Sequence, residues 1–130
     1  MSEAREDSSP ARIYQAKLNQ GIFEIQRCGD CDLYVHYPRS ICPHCGSLNL
    51  AWSKPSGRGV VYSTTTVRTS PDLAEHYNVT LIDLEEGVRL MSRIEGIANE
   101  DVCIGMLVSA MVRTVDGIGL LAFRQRDRAR

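Results

Sequence analysis

The sequence predicts a mainly β chain: a short N-terminal helix, a small four-cysteine module and a five-stranded barrel. Two observations carry most of that expectation. Two Cys-x-x-Cys pairs stand close together, Cys28-Gly-Asp-Cys31 and Cys42-Pro-His-Cys45. Beyond residue 57 every segment is rich in β-branched residues and bounded by glycine-bearing turns, the pattern of successive short strands. A third observation, Ser9-Pro10 ahead of Ala11 to Gln20, supplies the helix.

That helix starts where Ser9 can cap the first turn and Pro10 can take a position that needs no amide donor. Tyr14 and Leu18 fall at i, i+4 on one face, and Gly21 follows as a stop. So short a helix is marginal alone and must dock, either on its own domain or on a partner. Residues 1–21 are therefore expected to be an arm and short helix, and residues 22–54 the cysteine module. Its strands are expected at Ile22–Arg27, Leu33–Tyr37 and Leu48–Trp52, where Leu48, Leu50 and Trp52 alternate with smaller or polar residues.

Lys54-Pro-Ser-Gly57 is the turn-rich junction to residues 55–125, the barrel. Strands are expected at Gly59–Val67, Tyr77–Leu84, Val88–Glu95, Leu107–Val115 and Ile118–Gln125, with hairpins at Glu85-Glu86-Gly87 and Asp116-Gly117. Five strands in that space fit a Greek-key barrel of the OB type, with an SH3-like barrel as the alternative. Residues 126–130 read as a flexible Arg-rich tail.

Composition narrows the function. The chain has 130 residues, 43% hydrophobic and 24% charged, with 15 basic against 16 acidic side chains and a net charge of -1. That balance argues against a protein whose main task is neutralising nucleic-acid phosphates. Thirteen of the fifteen basic residues are arginine; the lysines are Lys17 and Lys54. No apolar run reaches the length of a membrane span, and the N-terminus lacks a secretory pattern, so a cytoplasmic protein is expected. In a reducing compartment five cysteines point to metal ligands or thiols rather than disulfides.

Two Cys-x-x-Cys knuckles separated by ten residues supply four thiolates in a tetrahedron, which suits one structural Zn²⁺ on Cys28, Cys31, Cys42 and Cys45. The same ligands would accept iron, but nothing else in the chain suggests electron transfer. A closed four-thiolate site has no open coordination position, so its role is to staple a module too small to hold itself together. His36 and His44 lie near the ligands without being needed. Cys103, between apolar neighbours, is expected to be a buried core thiol.

The remaining candidates are weaker. Ser56-Gly57-Arg58-Gly59 lacks the Lys-Ser/Thr of a phosphate loop and precedes a strand; it reads as a turn or bulge entering the barrel, or as a backbone nest with Arg58 facing an anion. Glu85 and Glu86 read as solvated charge at a hairpin tip. No serine, cysteine or acid is placed to form a catalytic set with His76, so the chain does not read as an enzyme acting alone. Single-stranded nucleic-acid binding is the alternative function, and would need aromatic residues on a basic face; after residue 57 these are Tyr62, Tyr77 and Phe123.

Taken in order, the helix, Cys-x-x-Cys, Pro38-Arg39 before Cys42-Pro-x-Cys-Gly, Ser56-Gly-Arg-Gly-Val-Val-Tyr-Ser63, Leu-Glu-Glu-Gly and Ile104-Gly-Met-x-Val108 resemble a zinc-ribbon plus OB-fold family of thiolase-associated proteins, long called a domain of unknown function. The resemblance spans roughly residues 12–125. It implies a rubredoxin-like zinc ribbon and a non-catalytic accessory subunit that binds a thiolase-fold or hydratase-fold acyl-CoA enzyme and helps hold or pass acyl-CoA. Arg39, Arg58 and Arg68 are the candidate contacts, since arginine suits phosphates and protein interfaces. Two departures stand out: Asp32 where glycine is common after the first pair, and Glu75-His76-Tyr77-Asn78 in place of a more usual Pro-Tyr.

Overall fold

The computed structural model describes residues 9–68, 71 and 76–126. The expected arm before Ser9, Glu75 and the tail beyond Arg126 lie outside the described residues. Helix α1 (Pro10–Asn19) begins as the sequence dictates: Ser9 is its N-cap, with the side chain accepting from the Arg12 N–H, and Pro10 sits in the first turn. At the other end Gly21 donates to the Leu18 carbonyl at 2.8 Å. Leu18 is buried, and Tyr14 stands edge-on to Phe23 and to His36. This docked face supplies the packing that so short a helix lacks in isolation.

Three short strands follow, β1 (Ile25–Cys28), β2 (Tyr34–Val35) and β3 (Leu50–Ser53), as an antiparallel sheet in the order β2-β1-β3. Phe23, Ile25 and Val35 are buried, Val35 on the face of Gln26 and Ile25 on the other. Gln26, opposite Trp52 in register, is also buried. Its amide donates to the Arg39 carbonyl and accepts from the Arg39 N–H, both at 2.7 Å. One side chain thereby satisfies two backbone groups that no strand partner reaches.

The rest of the chain is β4 (Arg58–Val67), β5 (Tyr77–Leu84), β6 (Arg89–Ser92), β7 (Ile94–Glu95), β8 (Leu107–Val115) and β9 (Ile118–Gln125), in the sheet order β6-β5-β4-β8-β9-β7. The expected third strand is broken at Arg93. Its first half pairs antiparallel with β5 and its second half runs parallel to β9, with Ile94 opposite Phe123. Taking β6 and β7 as one bent strand restores the five-stranded count and closes the sheet on itself, which is the OB arrangement. Val61, Ile82, Leu84, Leu90, Ile94, Val108 and Phe123 form the core; truncating Phe123 to alanine would cost about 3–5 kcal/mol.

Strand β5 alternates as a half-buried strand should, but two of its inward residues are polar, Asn78 and Thr80. They are satisfied internally. Asn78 accepts from the Ile94 N–H at 2.8 Å and donates to the Ile94 carbonyl at 2.9 Å, while Thr80 donates to Asn78. The Asn78 amide thus stands in for a strand partner just past the break at Arg93.

By packing, the chain divides into two units. One comprises the chain up to Ser56 with Glu86–Val88 and the hairpin tip Val112–Leu120; the other comprises Gly57–Glu85, Arg89–Met111 and the chain from Leu121. Within the first unit the hairpin tip meets α1: the Gly119 N–H donates to Asn19 at 2.7 Å and its carbonyl accepts from Gln15 at 2.9 Å. A Cβ on Gly119 would collide with the Leu18 carbonyl, so the position requires glycine.

Candidate metal centre

The two knuckles are built alike. The Cys28 N–H donates to the Leu33 carbonyl and the Cys42 N–H to the Ser47 carbonyl, while the Asp32 and Gly46 N–H groups return to the Cys28 and Cys42 carbonyls. Each loop is thereby curled so that spare amides face the first sulfur: Asp30 and Cys31 donate to Cys28 Sγ, and His44 donates to Cys42 Sγ, all at 3.4 Å. Asp30 also accepts from the Ser47 hydroxyl, which ties one knuckle to the other.

The four sulfurs of Cys28, Cys31, Cys42 and Cys45 lie within 4.8 Å of one another. Cys28 and Cys45 are 3.6 Å apart, Cys31 and Cys42 3.7 Å. Zinc–sulfur bonds of about 2.3 Å in a tetrahedron place sulfurs about 3.8 Å apart, so the cage has the size of one bound ion. Its protonation chemistry agrees. The Cys31 N–H, opposed by burial and assisted by the Asp30 N–H, brings the Cys28 thiol down to about 6. At Cys45 the Ser47 N–H pulls the same way, but the neighbouring sulfurs and burial outweigh it and push the thiol up to about 12. The Cys28 thiolate forms readily while those of Cys31 and Cys45 are resisted, so gathering them needs a cation between them. The residues fit one divalent ion, held by the Cys28, Cys31, Cys42 and Cys45 thiolates. Bound there, it would supply cross-linking rather than a reactive position.

His44 is exposed. His36 packs on the Tyr14 and Tyr37 rings with its Nδ1 buried and, among the described residues, unpartnered. Cys103 overturns its expectation: it is exposed. It follows the turn Asn99–Asp101, where Val102 takes the inward position and leaves Cys103 and Ile104 to solvent.

The three candidate arginines stand on different elements, Arg39 in the first unit and Arg58 and Arg68 in the second. Arg39 is exposed, its backbone clamped by Gln26. Arg58 begins β4 and pairs with Glu85 at 3.0 Å. Arg68 is exposed just past the other end of β4, roughly 30 Å of strand from Arg58, beside a cavity of about 280 Å³ shared with His76 and Glu100. The glycine-rich stretch is a turn into the barrel, with Gly57 at φ +79. The bulge lies further on, between Val61 and Ser63. Nor are Glu85 and Glu86 merely solvated: Glu85 holds Arg58, and Glu86 accepts the Ser56 N–H at 2.7 Å. Of the barrel aromatics, Phe123 is buried, Tyr62 lies under the Arg89 guanidinium at 3.4 Å, and Arg93 approaches Tyr77 at 5.8 Å.

Comparison with known proteins places this geometry. The family described as "ChsH2, rubredoxin-like zinc ribbon domain" matches residues 16–51, and "ChsH2, C-terminal OB-fold domain" matches residues 52–113. A "DUF35 domain-containing scaffold protein" of Pyrococcus furiosus is 33% identical over 96 residues, 69% of this chain and 71% of that protein. The chain belongs to the DUF35 (ChsH2) family.

Over nearly its whole length this DUF35 chain also matches a chain of the solved "Ltp2-ChsH2(DUF35) aldolase", with a TM-score of 0.79 and 33% identity, covering 91% of this chain and 94% of that one. A "Probable enoyl-CoA hydratase alpha subunit" of Thermomonospora curvata is 41% identical over 86 residues, 65% of this chain but only 27% of that protein's length. The family is thus linked by name to an aldolase complex and to a hydratase subunit. Among the described residues no helix is long and apolar enough to cross a membrane.

Proposed function

We propose that this chain is a non-catalytic accessory subunit that binds a thiolase-fold or hydratase-fold acyl-CoA enzyme and helps hold or pass acyl-CoA. The observation that carries the reading is the likeness, across 91% of the chain, to a chain of the Ltp2-ChsH2(DUF35) aldolase. The chemistry of the site supports it: a four-thiolate cage is saturated by its own ligands, which suits stapling rather than catalysis. The scaffold naming of the Pyrococcus relative agrees. Arg39 and Arg68, both exposed, are proposed as contacts to the partner or to ligand phosphates. Arg58 would have to exchange its Glu85 carboxylate to act in the same way.

The nucleic-acid alternative draws less support. A stacking platform needs open aromatic faces on a basic surface. Phe123 is in the core, and the Tyr62 face carries Arg89, itself clamped by both oxygens of Asp83.

Affinity purification of the tagged chain from its native host, followed by mass spectrometry, tests the proposal. A thiolase-fold or hydratase-fold enzyme should co-elute in constant ratio through size exclusion. Repeated recovery of the chain alone would contradict the reading.

A further inference from the structure

In the second unit the outer face of β5 and β6 is apolar at its centre. Strand β5 turns Asn78, Thr80, Ile82 and Leu84 inward, which directs Tyr77, Val79, Leu81 and Asp83 outward. On β6 the outward residues are Arg89 and Met91, and Met91 stands opposite Leu81 in register. Met91 is 59% exposed, and Tyr62 on the neighbouring β4 is exposed too. Beside Met91 lies a groove of about 300 Å³ whose lining includes Tyr77, Val79, Arg93 and Leu121. The face thus carries a knob and, next to it, a hole.

Two ion pairs flank this apolar centre. Arg89 donates to both oxygens of Asp83, at 2.6 and 3.1 Å, and lies over the Tyr62 ring at 3.4 Å. Arg93 pairs with Glu95 at 3.3 Å and lies over the Tyr77 ring at 5.8 Å. About 13 Å of strand separates the two arginines, with Met91 midway. Each guanidinium is already braced by a ring and a carboxylate, so little side-chain freedom is left to lose on association. Tyrosine, methionine and arginine around an apolar centre are also the residues enriched at protein interfaces.

We infer that this face binds a second copy of the chain, as a two-fold dimer in which the Met91 of each copy enters the groove of the other. The order of the charges selects that occupant. A two-fold axis crossing β6 beside Met91 runs the two β6 strands in opposite directions and repeats every contact on both sides. It sets the Asp83–Arg89 pair of one copy over the Arg93–Glu95 pair of the other, so that Arg89 meets Glu95 and Asp83 meets Arg93. Since each arginine has its own carboxylate, the face offers a polyanion little net charge and is instead complementary to itself. The inference stands apart from the enzyme-partner reading, because it needs only this chain.

Sedimentation velocity of the zinc-loaded full chain, with its thiols kept reduced, tests it over a concentration series. The expected result is a reversible monomer–dimer equilibrium. Met91→Lys places a cation at the axis of each copy and should weaken the dimer at least about tenfold; at so exposed a position it should leave the urea midpoint unchanged. Arg93→Glu sets like charges against Asp83 and should weaken the dimer by a similar factor. Adding Asp83→Arg to that variant should restore it, which happens only if the two ion pairs meet across the interface. Leu48→Lys, at an exposed apolar position of the first unit, should change nothing. The inference is overturned if the chain is a monomer at every concentration, if Met91→Lys dimerises as well as the wild type, if Leu48→Lys dissociates the dimer, or if the charge swap fails to restore it. A monomer that loses its co-purifying enzyme on Met91→Lys would assign the face to that enzyme and overturn the inference as well.

Discussion

Asp32 and Gly46 occupy the same place in the two knuckles. Each follows the second cysteine of its pair, each has positive φ (+65 and +78), and each N–H donates to the carbonyl of its pair's first cysteine at 2.9 Å. The left-handed conformation closes the knuckle, and Asp is one of the few side chains that tolerates it. This explains how Asp32 can hold the place that Gly46 fills in the second knuckle without disturbing the sulfurs.

The equivalence has opposite consequences for substitution. Asp32→Gly should stabilise the metal-loaded protein by about 0.5–1 kcal/mol by relieving the left-handed penalty. The exposed ion pair it forfeits, Asp32 with Arg27 at 3.3 Å, is worth at most a few tenths. Gly46→Ala should destabilise by about 1 kcal/mol. Urea unfolding at fixed zinc concentration measures both.

Gln26 links β1 to the chain that leads into the second knuckle. Gln26→Ala removes both bonds to Arg39 and leaves a donor and an acceptor short of partners. It should cost about 2 kcal/mol and speed zinc loss to a chelator, because Arg39 is three residues ahead of Cys42. Competition with a chromogenic chelator reads the second effect directly.

Asn78 joins β5 to the strand segment past the break. Asn78→Leu strips both bonds from the Ile94 backbone and one from Thr80, for an expected loss of about 3 kcal/mol. The urea midpoint should fall with an unchanged slope; an unaltered midpoint would mean that the bend closes without it.

His36 adds a pH dependence. Burial holds its imidazole below the ordinary 6.5, so the unfolded chain binds the proton more readily than the folded one. The stability linked to neutral His36 is complete above 6.5 and is lost as pH falls through that value towards the lower folded pKa. At saturating zinc, His36→Phe should flatten this part of the stability profile. The His36 ring proton should titrate below 6.5 by NMR, and a midpoint at or above that value would refute the assignment.

Local chemistry carried much of the reading from sequence. The Ser9-Pro10 start, the two Cys-x-x-Cys knuckles and the Asp116-Gly117 turn all depend on residues close in the chain. What was not legible depends on distant ones. The exposure of Cys103 follows from which neighbour the turn at Asn99–Asp101 directs inward. The break at Arg93 is set by β6 and β7 having different partners, β5 and β9. The docking of Gly119 on α1 joins positions a hundred residues apart. Asn78 and Thr80 did leave a signal, as polar residues at inward positions of an alternating strand, but only the register of β5 gives it meaning.

The proposed role is that this chain supports catalysis without performing it. The direct measurement is acyl-CoA turnover by the co-purified enzyme, by that enzyme stripped of this chain, and by the chain alone. The expected result is an inert chain, a stripped enzyme with reduced turnover, and recovery when the metal-loaded chain is added back. Turnover by the chain alone, or a partner indifferent to its removal, would contradict it.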